Sequence, residues 1–237
     1  MTGAPRALLF DVFGTCVDWR TCVAREVAAL ASRLGRADVD PYAVADAWRA
    51  RYQPQMETVR SGARPWVDLD VLHREALDGV LLEAGFDEVP PDARDELTLA
   101  WHRLDPWPDT VPGLTRLKAL AVIAPHSNGH VALLLAMARR AGLPWDLILG
   151  AETAGAYKPE PRAYLRNLEL LRLAPGEAMM VAAHNGDLRA AAALGMRTAF
   201  VRRPTEYGPD QSTDLEAEGP WDVVADDLLD LAGRLGA

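Results

Sequence analysis

The residues best placed for chemistry in this chain sit in Leu8-Leu9-Phe10-Asp11-Val12-Phe13-Gly14-Thr15. A short apolar run carries a single carboxylate to its carboxyl end, and a Gly-Thr turn follows at once. Ligands of open α/β sheets bind just outside the carboxyl ends of the strands, so Asp11 stands where a reaction is expected. An apolar wall on one side and turn amides on the other can position such a carboxylate as a nucleophile. Two residues on stands Phe13, which can neither bind a metal nor donate a proton.

Further polar groups recur at later strand ends. His126-Ser127-Asn128-Gly129 precedes a helix, where Ser and Asn serve as caps and where a hydroxyl, an amide and helix N–H groups can also cradle an anion. Lys158 opens the loop Ala156-Tyr157-Lys158-Pro159-Glu160-Pro161. Ala183-His184-Asn185-Gly186-Asp187 follows another strand, with Asp187 at the start of a helix. Taken singly, these are a cap, a surface lysine, an N-cap aspartate and a buried histidine. Three polar clusters facing one carboxylate argue instead for a site. Lysine occurs only at 118 and 158, and arginine supplies the other 23 of the 25 basic residues. A lysine in such a chain marks a place that needs a compact ammonium, and Lys158 is the better candidate because Lys118 falls on a helix surface.

These groups need a scaffold. After the first strand, residues 18 to 104 read as helical around 20–34, 41–59, 68–84 and 91–103, with breaks at Gly35, Gly62, Pro65, Gly85 and Pro90-Pro91. Asp105-Pro106-Trp107-Pro108-Asp109 and Pro112-Gly113 form a rigid connector. Strands are then expected at Ala121–Pro125, Leu147–Gly150, Ala178–Ala182, Thr198–Val201 and Val223–Ala225. Helices are expected near 113–120, 129–141, 161–173 and 187–194, with Gly142 and Gly195 past the ends of two of them. Strands separated by helices of this length imply a parallel, doubly wound, Rossmann-like sheet. One strand, a helical insertion, then the remaining βα units make residues 17–104 a cap over Asp11, with residues 1–16 and 105–237 as the core.

Composition narrows the function class. The chain's 237 residues can bury a substantial core, and 49% hydrophobic with 25% charged residues is ordinary for a globular protein. Apolar runs such as Val131 to Ala138 fall far short of the ~20 residues a membrane span needs. With a formal charge of −9 and no basic stripe, nucleic acid is not an expected partner. Arg202-Arg203 reads as a solvated surface pair. Cys16 and Cys22 lack the neighbours of a zinc site and read as free thiols of a reducing compartment, so the expected location is the cytoplasm.

Phe10-Asp11-Val12-Phe13-Gly14-Thr15, Ser127-Asn128-Gly129, Lys158-Pro159 and the strand ending before Asp187 together resemble the haloacid dehalogenase superfamily. Their spacing covers essentially the whole chain, and within the superfamily it is similar to the type II L-2-haloacid dehalogenases. Most members of the superfamily are magnesium-dependent phosphatases. These carry a second Asp two residues after the nucleophile and usually an acidic residue four before the position of Asp187. Phe13 and Ala183 stand at those places here. A departing halide needs no proton, and a substrate carboxylate can be held by amides and hydroxyls, whereas phosphoryl transfer usually calls for Mg²⁺.

The resemblance therefore implies metal-independent, cofactor-free hydrolysis of short 2-haloalkanoic acids to 2-hydroxy acids through an ester on Asp11. It implies substrate carboxylate binding by amides near Val12 and Phe13 and by Ser127 and Asn128. Arg49 in Ala47-Trp48-Arg49-Ala50-Arg51-Tyr52 would assist the halide, with Arg51 a competitor. Lys158 would orient Asp11, Thr15 would brace its loop, and Tyr164 would line the pocket. Asp187 and Lys158, with His184 or Asn185, would position and deprotonate the hydrolytic water. Ala182 and His184 replace the Ser and Asn of better-known members, and Gly186 replaces a bulky aromatic at the halide site. A magnesium-dependent phosphatase of a small metabolite and a non-catalytic carboxylate binder stay open as rivals. Dimers are frequent in the family, but no exposed stripe in the sequence points to an interface.

Overall fold

The computed structural model describes residues 4–86 and 88–237, so residues 1–3 of the expected core and residue 87 of the expected cap lie outside the description. Six parallel strands form one sheet in the order β3-β2-β1-β4-β5-β6. They are β1 (Ala7–Phe10), β2 (Val122–Ser127), β3 (Leu149–Gly150), β4 (Ala178–Ala182), β5 (Arg197–Val201) and β6 (Val223–Ala225). β1 lies between β2 and β4, with Phe10 opposite both Pro125 and Val181. Its four residues are fully buried because both faces of a parallel sheet are covered. Leu8 and Phe10 pack into the apolar layer on one face, Ala7 and Leu9 into the layer on the other.

Eleven helices were assigned among the described residues. α1 (Trp19–Arg33), α2 (Pro41–Ala50), α3 (Tyr52–Arg60), α4 (Leu69–Glu83) and α5 (Pro91–Thr98), with a 3₁₀ turn at Leu99–His102, follow β1 without an intervening strand. α6 (Thr110–Leu117), α7 (Val131–Ala141) and α11 (Leu228–Leu235) contribute to the layer that holds Leu8. α8 (Ala151–Ala154), α9 (Pro161–Leu171) and α10 (Asn185–Ala193) contribute to the layer that holds Leu9. The sheet is doubly wound, as the alternation of elements implies. No helix is long and apolar enough to cross a membrane among the described residues.

Several boundaries differ from the sequence reading. The helical stretch expected over 41–59 is two helices meeting at Arg51. Pro54 explains the break, since it has no N–H for the Ala50 carbonyl and its ring would crowd that group. β2 continues past Pro125 because His126 and Ser127 pair with Leu149 and Gly150 of β3. The helix expected at 187–194 begins at Asn185, so His184 rather than Asp187 holds the N-cap position and Asp187 lies in the first turn. α11, which the sequence reading did not include, is capped by Asp227 accepting from the Asp230 N–H.

α1 to α5 close on their own aromatic core. Trp101 stacks on His73 at 4.4 Å between ring centroids and meets Trp48 edge-on at 5.5 Å. The Trp48 indole donates to the His73 carbonyl at 3.0 Å. Phe13 joins this group edge-on to Trp101 at 6.0 Å and to Tyr52 at 6.3 Å. The residue beside the nucleophile is thus packing that links the sheet's edge to the helices above it.

Candidate active site

Asp11 is the first residue past β1, and its N–H still donates to Val181 of β4 at 2.9 Å. The chain then turns sharply, with the Val12 carbonyl accepting from both Cys16 (2.9 Å) and Val17 (3.3 Å). Gly14 sits at φ +85°, a left-handed conformation that a side chain resists. A Cβ there would also lie 2.0 Å from a Glu206 carboxylate oxygen, so no larger residue fits. The turn is clamped from below. Trp107 donates its indole N–H to the Gly14 carbonyl at 2.8 Å, and Arg203 donates to the Thr15 carbonyl at 2.8 Å. Arg203 is itself held by a two-pronged pair with Asp109, at 2.8 and 2.7 Å. It is buried, which corrects the reading of Arg202-Arg203 as a solvated pair: Arg202 is at the surface and Arg203 is structural.

Asp11 is buried and its two oxygens have different partners. Oδ1 accepts from Lys158 Nζ at 2.8 Å. Oδ2 accepts from the Thr15 hydroxyl at 2.7 Å and lies 3.1 Å from His184 Nδ1. The Thr15 hydroxyl in turn accepts from the Ala183 N–H at 2.9 Å, tying the ends of β1 and β4 together. Burial alone would raise the Asp11 pKa, but Lys158 and His184 hold the carboxyl far below the usual carboxylate range. The nucleophile candidate is therefore ionised at any working pH.

Lys158 bridges the carboxylates of Asp11 and Asp187. Its own N–H donates to Asn128 Oδ1 at 2.8 Å, so the loop after β2 fixes the lysine loop. Burial opposes its charge, yet the two carboxylates keep the ammonium above its ordinary pKa. Asp187 behaves oppositely to Asp11: burial pushes its pKa up, and the charge on Asp11 adds to that against the pull of Lys158. Tyr164 donates to Asp187 Oδ1 at 2.6 Å. The other lysine, Lys118, is at the surface, paired with Asp146.

A cavity of about 390 Å³ opens in front of Asp11, lined by Phe13, Arg49, Tyr52, Asn128, Gly186 and Tyr207 together with the charged residues. The Arg49 guanidinium lies over the Tyr52 ring at 4.1 Å and near the Trp19 ring at 5.3 Å. Its Nη1 is sealed from solvent and has no hydrogen-bond acceptor among the described residues. Arg51 is turned away, to Glu83 and the Ala76 carbonyl, and does not line the cavity as Arg49 does.

Of three further expected residues, Ser127 and Tyr164 are placed as expected with added partners and Asn185 is placed differently. The Ser127 hydroxyl accepts from the Gly129 N–H at 3.1 Å and acts as a turn cap. Asn185 faces away from Asp11: its amide donates to Asp214 and to the Glu216 carbonyl and accepts from Glu218 and Trp221. It shapes the 214–221 segment, because the helix start at 185 turns its buried side chain toward that segment while His184 faces Asp11. Tyr164 lines the cavity but spends its hydroxyl on Asp187.

Glu206 was not anticipated. It is buried, accepts from the Trp19 indole at 3.0 Å and lies 2.9 Å from His184 Nε2. Only the close contact demanded at Gly14 hints at it in the sequence, and that needs the fold to be read. Burial works against a charged His184, but Glu206 and Asp11 raise its pKa well above the ordinary histidine value.

Comparison with known proteins agrees with this geometry. Residues 5–195 match the family model for haloacid dehalogenase-like hydrolases. The chain is 31% identical to (S)-2-haloacid dehalogenase 1 of Pseudomonas sp. (strain CBS-3) over 211 residues, 85% of this chain and 88% of that one. Among solved structures, a defluorinating L-2-haloacid dehalogenase matches at TM-score 0.96 and 55% identity, covering 98% of this chain and 96% of that one. Another L-2-haloacid dehalogenase matches at TM-score 0.92 and 49% identity, covering 98% and 99%. Phosphoglycolate phosphatases of pseudomonads match further off. With the sheet order, the Asp11 turn and the four strand-end motifs in register along its length, the chain belongs to the haloacid dehalogenase-like hydrolases.

Proposed function

We propose that this enzyme hydrolyses short (S)-2-haloalkanoic acids to 2-hydroxy acids through an ester on Asp11. The observation that carries the reading is that an ionised, Lys158-held Asp11 and the Arg49 side chain line the same small cavity. Oδ1 of Asp11 accepts one hydrogen bond and Oδ2 is approached by two groups, so Oδ1 has the lone pair free to attack. Oδ1 bonds to C2 as the carbon–halogen bond breaks, and the halide leaves toward Arg49 and Asn128. The turn amides at Val12 and Phe13 hold the substrate carboxylate. Water then adds to Cγ of Asp11 and gives a proton to Asp187, whose raised pKa suits it as the base. The 2-hydroxy acid departs with Oδ1 and takes that proton.

The phosphatase alternative fits these residues poorly. Phe13 is wedged between Tyr52 and Trp101, leaving no acid for a leaving alcohol. Lys158 Nζ occupies the gap between Asp11 and Asp187, and Ala183 offers no oxygen. That donor set does not suit a magnesium ion. We also assign residues 17–104 as a cap that closes over Asp11: Arg60 donates to the Lys158 carbonyl at 2.8 Å, and Tyr157 donates to the Val67 carbonyl at 2.7 Å. Free, buried Cys16 and Cys22 support a reducing, cytoplasmic setting, and the acidic charge supports a small-molecule substrate rather than nucleic acid or membrane.

The test is halide release from fluoro-, chloro- and bromoacetate and from both 2-chloropropionate enantiomers, with and without EDTA. Release from the haloacetates and the S enantiomer, unchanged by EDTA, is expected. No release, alongside magnesium-dependent cleavage of an aryl phosphate, would overturn the reading. A single turnover in ¹⁸O water should first label Asp11 and leave the product unlabelled; label in the first product would exclude the ester.

A further inference from the structure

His184 and Glu206 go beyond the reaction just proposed, although their role rests on it. We infer that Thr15 and His184 form an oxyanion site for the ester's hydrolysis, built on Oδ2 of the nucleophile itself, and that Glu206 is the positioning residue that makes it work. Three observations carry this. Thr15 and His184 both converge on Oδ2, at 2.7 and 3.1 Å, whereas Lys158 is on Oδ1. When Oδ1 becomes the ester oxygen, Oδ2 becomes the carbonyl oxygen, and hydrolysis drives negative charge onto it. The two donors stand in place before the charge appears, which is what makes such stabilisation effective.

The ring of His184 is fixed at both nitrogens. Nε2 lies 2.9 Å from Glu206 Oε2, which accepts from a protonated Nε2, so the doubly protonated ring has its second N–H, on Nδ1, pointing at Oδ2. Glu206 is in turn fixed by the Trp19 indole and packed against Gly14. A fully buried carboxylate is costly unless its partners are in place, so its retention here serves the imidazolium. Once Asp11 is esterified and neutral, Glu206 alone keeps His184 charged. Bonds balance as follows. Water oxygen joins Cγ, the Cγ–Oδ2 π pair moves to Oδ2, and one water proton passes to Asp187. The pair then returns, the Cγ–Oδ1 bond breaks, and the departing oxygen takes the proton from Asp187. The remaining proton of the new carboxyl leaves with the halide as net acid.

Glu206→Gln tests the inference, because Gln can still accept from Trp19 and donates to Nε2, keeping Nδ1–H while removing the charge. In a rapid-mix experiment with chloroacetate, the first equivalent of chloride should appear within about threefold of the wild-type rate. Steady-state turnover should fall by about 10-fold, since the donor keeps its N–H and loses its charge, and a charged donor is about twice as strong as a neutral one. The carboxymethyl ester should accumulate on the Asp11 peptide, and turnover should recover toward acid pH, where His184 is protonated without help. Equal loss in both steps, or slow turnover without accumulated ester, would overturn the inference. Should that variant not fold, His184→Gln offers a neutral donor and reads the same split; unimpaired hydrolysis there would also overturn it. A wild type that releases no halide would instead sink the dehalogenase reading.

Discussion

At the residue scale, the site separates roles by giving each charged group a different neighbour. Lys158 is shared by two carboxylates whose pKa values move apart, down at Asp11 and up at Asp187, which in the proposed reaction suits one to attack and the other to accept a proton. Arg49 is the proposed complement for the halide, a cavity-lining guanidinium held against Tyr52. Arg49→Leu should lower kcat/KM for halide release by about 10²- to 10³-fold, the range for removing a donor to developing charge. Arg51→Ala should change it less than twofold, since Arg51 points to Glu83 on the outside of the helical layer. Halide-electrode kinetics of the two variants check the assignment, and a reversed order of effects would refute it. Both arginines were visible in the sequence as candidates. Their separation was not, because it depends on the chain restarting a helix at Arg51.

At the scale of elements, the strands of the core were legible because apolar runs bounded by turns have few other uses in a chain of this length. β4 and β6 have the boundaries expected from sequence. What failed was local: Pro54 divided a long helical pattern, and the entry of α10 moved two residues toward the N-terminus. That small move is why Asn185 faces the 214–221 segment while His184 faces Asp11. Asp11, Thr15, Asn128 and Asp187 follow from strand-end position and Lys158 from being one of only two lysines, whereas Glu206 and Arg203 arrive from the loop after β5. Their polar spelling resembles solvated surface, and only burial under the Asp11 turn reveals their use. The loops also couple the helices to the core. Arg60 of α3 reaches the Lys158 carbonyl, a contact that favours closure of the proposed cap. A hydrogen bond from a charged donor contributes about 1.5–3 kcal/mol, so Arg60→Ala should cost roughly 10-fold in kcat/KM if half of that favours the closed state. Steady-state kinetics with a melting curve as control check this, and an unchanged kcat/KM would remove Arg60 from closure.

At the scale of the whole molecule, buried histidines set the response to acid. His73, enclosed by Trp48, Tyr52 and Trp101, and His126, beside Tyr164 and Asn167, both have pKa values lowered by burial to about 3 from an ordinary 6.5. Each stays neutral in the folded protein while the unfolded chain takes up its proton, so folded stability falls as pH drops below about 6.5. His130 and His184 act in the other sense. Their pKa values are raised, so their contributions are complete below 6.5 and fade only at higher pH. Asp70, held by His102 at 2.9 Å and His130 at 3.4 Å, has a lowered pKa, and its contribution is lost as pH falls toward and below 3.8. Between about pH 6.5 and 5.5 the two neutral histidines therefore remove stability on acidification, each at about 1.4 kcal/mol per pH unit, and below that the carboxylates with lowered pKa, Asp11 and Asp70 among them, add to the loss. Asp187, whose pKa is raised, takes up a proton in the folded state and offsets part of that slope. His73→Phe keeps the ring against Trp101 and deletes one of the two titrations. Urea unfolding from pH 7 to 4.5 should show the wild-type slope reduced by one proton in that variant. Parallel wild-type and variant slopes would mean that His73 is already protonated within its aromatic cage.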